Sequence, residues 1–146
     1  VRREDWPERL LAFIESRRRT AFAWGEHDCA LFACDAVLAM TGIDPAAWFR
    51  GRYRDRRTAY AALGDFLGLG AKAAPRAALG AVCARLANSH GWPEVPSAFA
   101  QRGDVGLLDL RGRETLAICM GAVFVAAGPG GLVFIPHGHA RRAWRV

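Results

Sequence analysis

At 146 residues, with 52% hydrophobic and 23% charged residues, the chain has the size and composition of a globular domain with a real core, which excludes disorder. The net charge of +6 invites a nucleic-acid partner, but every basic residue except Lys72 is arginine and no arginine run is interleaved with regularly spaced aromatics. The clusters Arg17 to Arg19, Arg50 to Arg57 and Arg141-Arg142 therefore read as solvated faces or contacts for an acidic protein, and the pattern argues against nucleic acid.

The first half reads as helical. Asp5 is a candidate N-cap with Pro7 in the first turn, and Trp6, Leu10, Phe13 and Ile14 form one apolar stripe. Arg17 to Arg19 place cations where a helix C-terminus favours them. Asp28 is the natural N-cap of a second helix over 29–41, which is apolar on nearly every side apart from Asp35. Such a helix is expected to be central and buried, with Gly42 as its left-handed stop. Asp44-Pro45 is expected to start a short helix carrying Trp48 and Phe49. Thr58 then caps a helix through Leu67, broken by Gly64, Gly68 and Gly70, and a further helix covers 76–87.

From Gly103 the pattern shortens to strands at 105–110, 115–120, 122–127 and 132–135. Arg111-Gly112 and the run Gly128 to Gly131 serve as turns, and 143–146 is expected to close the sheet at its edge. Helices first and an antiparallel meander second is an α+β layout, read as a single domain over 1–146.

No apolar run reaches the roughly 20 residues of a membrane span. The charged run Val1 to Pro7 lacks the apolar stretch of a signal peptide, so synthesis and folding in the bacterial cytoplasm are expected. Cys29, Cys34, Cys83 and Cys119 show no CxxC spacing, and the last three sit in apolar runs as small hydrophobes. Neither a metal nor a cofactor is expected. His137-Gly138-His139 together with Cys29 is the weak alternative for a metal ion.

Cys29 carries the chemical interest. Unpaired N–H groups at a helix start stabilise a thiolate, which makes a cysteine there a candidate nucleophile. Asp28 opposes this if its charge lies near the sulfur, and a small residue at a helix start needs no function at all. Trp24, Gly25, His27 and Asp28 are the candidate supports of the loop and helix cap: Trp24 packing on the core, Gly25 permitting the turn, Asp28 capping. A hydrolase also needs a histidine base. His27, His90, His137 and His139 are the choices, each readable as an exposed or structural residue.

Asp28-Cys29-Ala30, then Arg102-Gly103-Asp104-Val105, then Leu116 to Gly121 resembles the order of motifs in the NlpC-type superfamily of papain-like cysteine peptidases. A closer resemblance is to a domain family of uncharacterised function in tailed phages and prophages. It rests on Trp24 to Phe32, Thr41 to Ala46, Arg50-Gly51 with Tyr53, Arg102 to Val105 and Ala143 to Val146. The resemblance implies an NlpC-like α+β domain with the Cys29 helix on an antiparallel sheet, and gene neighbours that encode tail proteins near the tail tip. It also exposes a departure. The stretch that should bring the catalytic histidine holds Glu114-Thr115-Leu116, and the orienting residue is absent from Val123 to Ala126.

The expected function is accordingly a structural or assembly component of a phage or prophage tail, located in the virion once assembled, with other tail proteins as partners and no peptidase activity. Trp48, Phe49, Trp92 and Phe99 are candidate interface anchors. The alternative is an active cysteine endopeptidase with peptidoglycan as its substrate and Cys29 as nucleophile. A basic nucleic-acid-binding module comes third.

Overall fold

The computed structural model describes residues 1–69 and 76–146. Helix α1 (Trp6–Arg17) leads to α2 (Cys29–Thr41), α3 (Arg56–Phe66) and α4 (Ala78–Ser89). The strands follow as β1 (Glu94–Val95), β2 (Val105–Leu110), β3 (Arg113–Cys119), β4 (Val123–Gly128), β5 (Gly131–Pro136) and β6 (Ala140–Trp144). The chain is α+β, with one antiparallel sheet of six strands in the order β1-β6-β2-β3-β4-β5. Among the described residues no helix is long and apolar enough to cross a membrane.

The central helix forms where its caps dictate. Asp28 accepts from the Leu31 N–H at 2.9 Å, and Gly42 ends the helix at φ +81° with its N–H on the Leu38 carbonyl. Leu31, Phe32, Ala33, Ala36, Val37 and Met40 are buried, held between α1 and the sheet. Period-two alternation divides the sheet residues. Leu107, Leu116, Ile118, Val125, Ala127 and Trp144 face the helices, whereas Leu108, Ala117, Cys119, Phe124 and Ala126 form a second buried cluster on the other face.

That second cluster is built from small residues around one large ring. A Cβ on Gly106 would overlap the Phe124 ring directly, so only glycine lets β2 and the ring approach. Gly106→Ala is therefore expected to destabilise the protein by about 2–3 kcal/mol through overpacking. Phe124→Leu in the same chain should recover part of that loss. Urea denaturation of both variants checks this, and a strictly additive double variant would refute the contact.

Several local expectations give way to tertiary contacts. The segment after Asp44-Pro45 is a run of turns rather than a helix. The Asp44 carboxylate is taken by the Ala46 N–H and by Arg50, and Gly51 turns left-handed at φ +77°. Helix α3 is capped by Asp55, with Thr58 in the third helical position completing a capping box, so Thr58 is not the N-cap. Gly64 sits buried inside α3 without breaking it, and Gly70 lies outside the described residues. Asp5 occupies the N-cap position of α1, but its carboxylate bonds Arg9 at 2.8 Å instead of the helix backbone.

The C-terminal strand is not at the sheet edge. β6 lies between β2 and the two-residue β1, because Glu94 and Val95 pair with Trp144 and Ala143 on its outer side. Of the four aromatics expected as anchors, Trp48 and Phe49 pack against Phe66, Trp92 stacks on His90, and Phe99 alone is strongly exposed.

Candidate functional site

Residues 23–28 form a tight loop ahead of α2. Ala23 and His27 exchange backbone hydrogen bonds of 3.0 and 2.8 Å, and Gly25 lies at φ +79° against the Tyr53 carbonyl, where a Cβ would not fit. Trp24 is half-buried, edge-on to Phe22 at 4.9 Å. Asp28 is 1% exposed and has three donors: Leu31 N–H at 2.9 Å, Gly25 N–H at 3.0 Å and the Tyr53 hydroxyl at 2.5 Å. Two separated sequence motifs, the one around Cys29 and the one ending in Tyr53, thus meet at a single buried carboxylate.

Cys29 is the first residue of α2 and half-buried. Burial pushes its thiol up to about 11, and the Asp28 charge acts in the same direction. The backbone of Leu116 on β3, with that of Ala30 and of Cys29 itself, lowers it without prevailing. The helix start therefore does not produce a thiolate at neutral pH. Desolvation wins.

His27 does not compensate. It is 3% exposed, and its Nδ1 lies 3.2 Å from an Arg17 guanidinium nitrogen, which can only donate. Nδ1 is thereby an acceptor, the proton sits on Nε2, and Nε2 is buried without a partner among the described residues. Burial, then Arg17, lowers the His27 pKa, so the ring is neutral with its lone pair already engaged. Arg17 continues to Asp35 at 3.4 Å, Asp35 to Arg50 at 2.6 Å, and Arg50 to Asp44 at 2.7 Å.

The other histidines lie elsewhere. His90 stacks on Trp92 at 4.6 Å. His137 packs on Phe124, on the sheet face away from α2, with Nε2 3.1 Å from the Ala100 carbonyl. His139 is exposed in the same short 3-10 turn. The sheet therefore separates the His137 side chain from Cys29. Among the described residues no three or more His, Cys, Asp or Glu are arranged to hold a metal ion.

Cys29 borders two clefts, and neither is lined by a histidine. One is apolar and runs between α2, α3 and α4 past Cys34, Cys83, Phe49 and Leu63. Burial drives the Cys34 and Cys83 thiols well up, so both are inert hydrophobes there. The other cleft leads along β3 toward Phe22, Trp24 and Val133. Tyr60 and Glu114 border both. The Glu114 carboxylate, in the stretch where a base would be sought, accepts from Gly80 N–H at 3.3 Å and so caps α4.

Sequence reasoning missed three of these neighbours. Tyr53 had a signal: a carboxylate buried beside an apolar helix needs more donors than its own cap provides. Tyr60 and Glu114 had none, since only the packing of α3 on α4, and of α2 and α4 on β3, brings them to Cys29.

The family model described as Domain of unknown function (DUF6950) matches residues 1–146. No curated protein and no solved structure matches the chain.

Proposed function

The chain belongs to the DUF6950 family over residues 1–146, and from the motif resemblance we propose that it is a structural or assembly component of a phage or prophage tail, at or near the tail tip. In this reading the domain is NlpC-like, with the Cys29 helix on an antiparallel sheet, and the cysteine is retained without peptidase chemistry. The tail assignment follows from the motif resemblance. The loss of chemistry is carried by one observation: among the described residues neither cleft beside Cys29 is lined by a histidine, where an active relative would present an imidazole. The protein is then a virion component whose partners are other tail proteins.

The competing reading is an active peptidoglycan endopeptidase. Its support is the seat of Cys29 at a helix start bordering two clefts. It requires a base from outside the described residues of this chain.

Alkylation separates the two. With a pKa of about 11, Cys29 is thiolate to roughly one part in ten thousand at pH 7, against about 3% for free cysteine. The greater nucleophilicity of a more basic thiolate returns about tenfold of that. Iodoacetamide should thus label native Cys29 at least tenfold more slowly than free cysteine, with a rate still rising at pH 10. In the phage or prophage that encodes the protein, Cys29→Ala should leave particle assembly and infectivity intact. Fast labelling at pH 7, or normal particles that no longer infect, would sink the proposal.

A further inference from the structure

The fold gathers arginines that the sequence keeps far apart. Arg56 on α3, Arg76 ahead of α4, and Arg111 and Arg113 on the β2–β3 hairpin line one surface cleft with Tyr60 and Glu114. All four arginines are exposed, and none forms an ion pair with a carboxylate among the described residues. Seven other arginines of the chain do: Arg2, Arg9, Arg17, Arg18, Arg50, Arg142 and Arg145. The one carboxylate present, Glu114, is turned to the Gly80 N–H at the start of α4. Four like charges around one concavity repel one another unless an anion joins them.

The hairpin tip reinforces the placement. Arg111 holds φ +56° and Gly112 φ +78° between the paired Leu110 and Arg113, a two-residue turn whose first position usually holds Gly or Asn. An arginine occupies that position despite the preference. It puts a guanidinium at the rim of the cleft.

The cleft continues into an apolar one. Tyr60, Arg113 and Glu114 border both, and the second is lined by Phe22, Trp24 and Val133 as it passes Cys29. We propose that this continuous groove is a docking site for an extended acidic segment of a partner protein, with an apolar side chain against Trp24 and Val133 and carboxylates on the four arginines. Arginine is suited to this because its fork of donors matches a carboxylate in two-point fashion. A single-stranded nucleic acid fits less well. It calls for a row of stacking rings; Tyr60 is already under Arg56 at 5.8 Å, and Phe22 and Trp24 farther along the groove pack edge-on against each other at 4.9 Å. The inference goes beyond the tail reading and does not depend on it.

Fluorescence anisotropy with a labelled octapeptide, one leucine at its start and four glutamates at its end, tests the groove. The wild-type protein should bind it at 50 mM salt. Arg111→Asn with Arg113→Gln should weaken binding at least tenfold; asparagine tolerates the left-handed turn, so the hairpin is preserved. Arg9→Gln with Arg19→Gln, on α1 and just after it, removes the same charge and should change affinity less than twofold. Replacing the peptide's leucine by glycine should weaken binding several-fold. No binding, equal losses in the two double variants, or tighter binding of a ten-residue oligothymidylate would each overturn the proposal. Thermal unfolding of each variant establishes that the fold is retained.

Discussion

Asp28→Ala should cost about 4 kcal/mol of folding stability, and with it roughly 10 °C of Tm. The carboxylate is fully buried and receives the Leu31 N–H, the Gly25 N–H and the Tyr53 hydroxyl. Loss of an N-cap costs about 1 kcal/mol, and each buried donor left without a partner adds about 1–3 kcal/mol. Relaxation of the loop and entry of water will recover some of this, which keeps the total in the lower half of that range. Tyr53→Phe removes one bond to a charged acceptor and leaves two, so about 2 kcal/mol is expected from it. Urea denaturation of both variants and of their combination gives the coupling directly. A loss below 1 kcal/mol for Asp28→Ala would mean that the motif around Cys29 is not held by this carboxylate.

A loss of about 3 kcal/mol is expected for Asp104→Ala, because it removes the charged bond from Arg2 and leaves the Gln101 N–H without its acceptor. Asp104 is completely buried just ahead of β2. It receives Arg2 at 2.7 Å, the Gln101 N–H at 2.9 Å and Arg145 at 3.3 Å, and so ties the segment before α1 to the residue after β6. The neighbouring Gly103, at φ +91°, leaves no room for a side chain beside Trp6 and Arg2. Arg2→Ala and Arg145→Ala should each cost less than the aspartate variant, since each leaves Asp104 with the other guanidinium and the Gln101 N–H. Hydrogen exchange should show α1 and β6 loosening together in Asp104→Ala. If only one of them loosens, Asp104 does not act as a joint clamp.

These two aspartates also show how much of the protein is legible in its residues. Asp28, Cys29 and Gly42 announce the central helix because capping is a local event, decided within four residues of the chain. Strand β2 is legible over its whole length, since Gly103-Asp104 precedes it and Arg111-Gly112 ends it. Elsewhere local signals compete and context decides. Thr58 is an acceptable N-cap by itself, but Asp55 three residues earlier takes that role and turns Thr58 into its partner. Asp44-Pro45 is an acceptable helix start, but Arg50 claims the carboxylate.

The candidate site divides along the same line. The turn at Gly25 and the cap at Asp28 follow from adjacent residue types, whereas Trp24, expected to pack on the core, sits half-buried against Phe22 and lines the clefts. The chemical state of Cys29 does not follow from them either, because a thiol at a helix start is pulled down by the dipole and pushed up by burial, and only packing says which effect is larger. Here burial is larger. The role of His27 is equally invisible in sequence: its ring is claimed by Arg17, ten residues earlier at the end of α1.

By itself, then, the sequence determined the α+β class, the central helix with its two caps, and the run of short strands. Each is a matter of neighbouring residues or of period along one element. Only the tertiary structure decided that Tyr53 completes Asp28, that Asp104 gathers Arg2 and Arg145, that β6 lies inside the sheet, and that four arginines share one cleft. Those are meetings of distant residues, set by the burial of α2 against the sheet and by the strand order, and no local propensity encodes them.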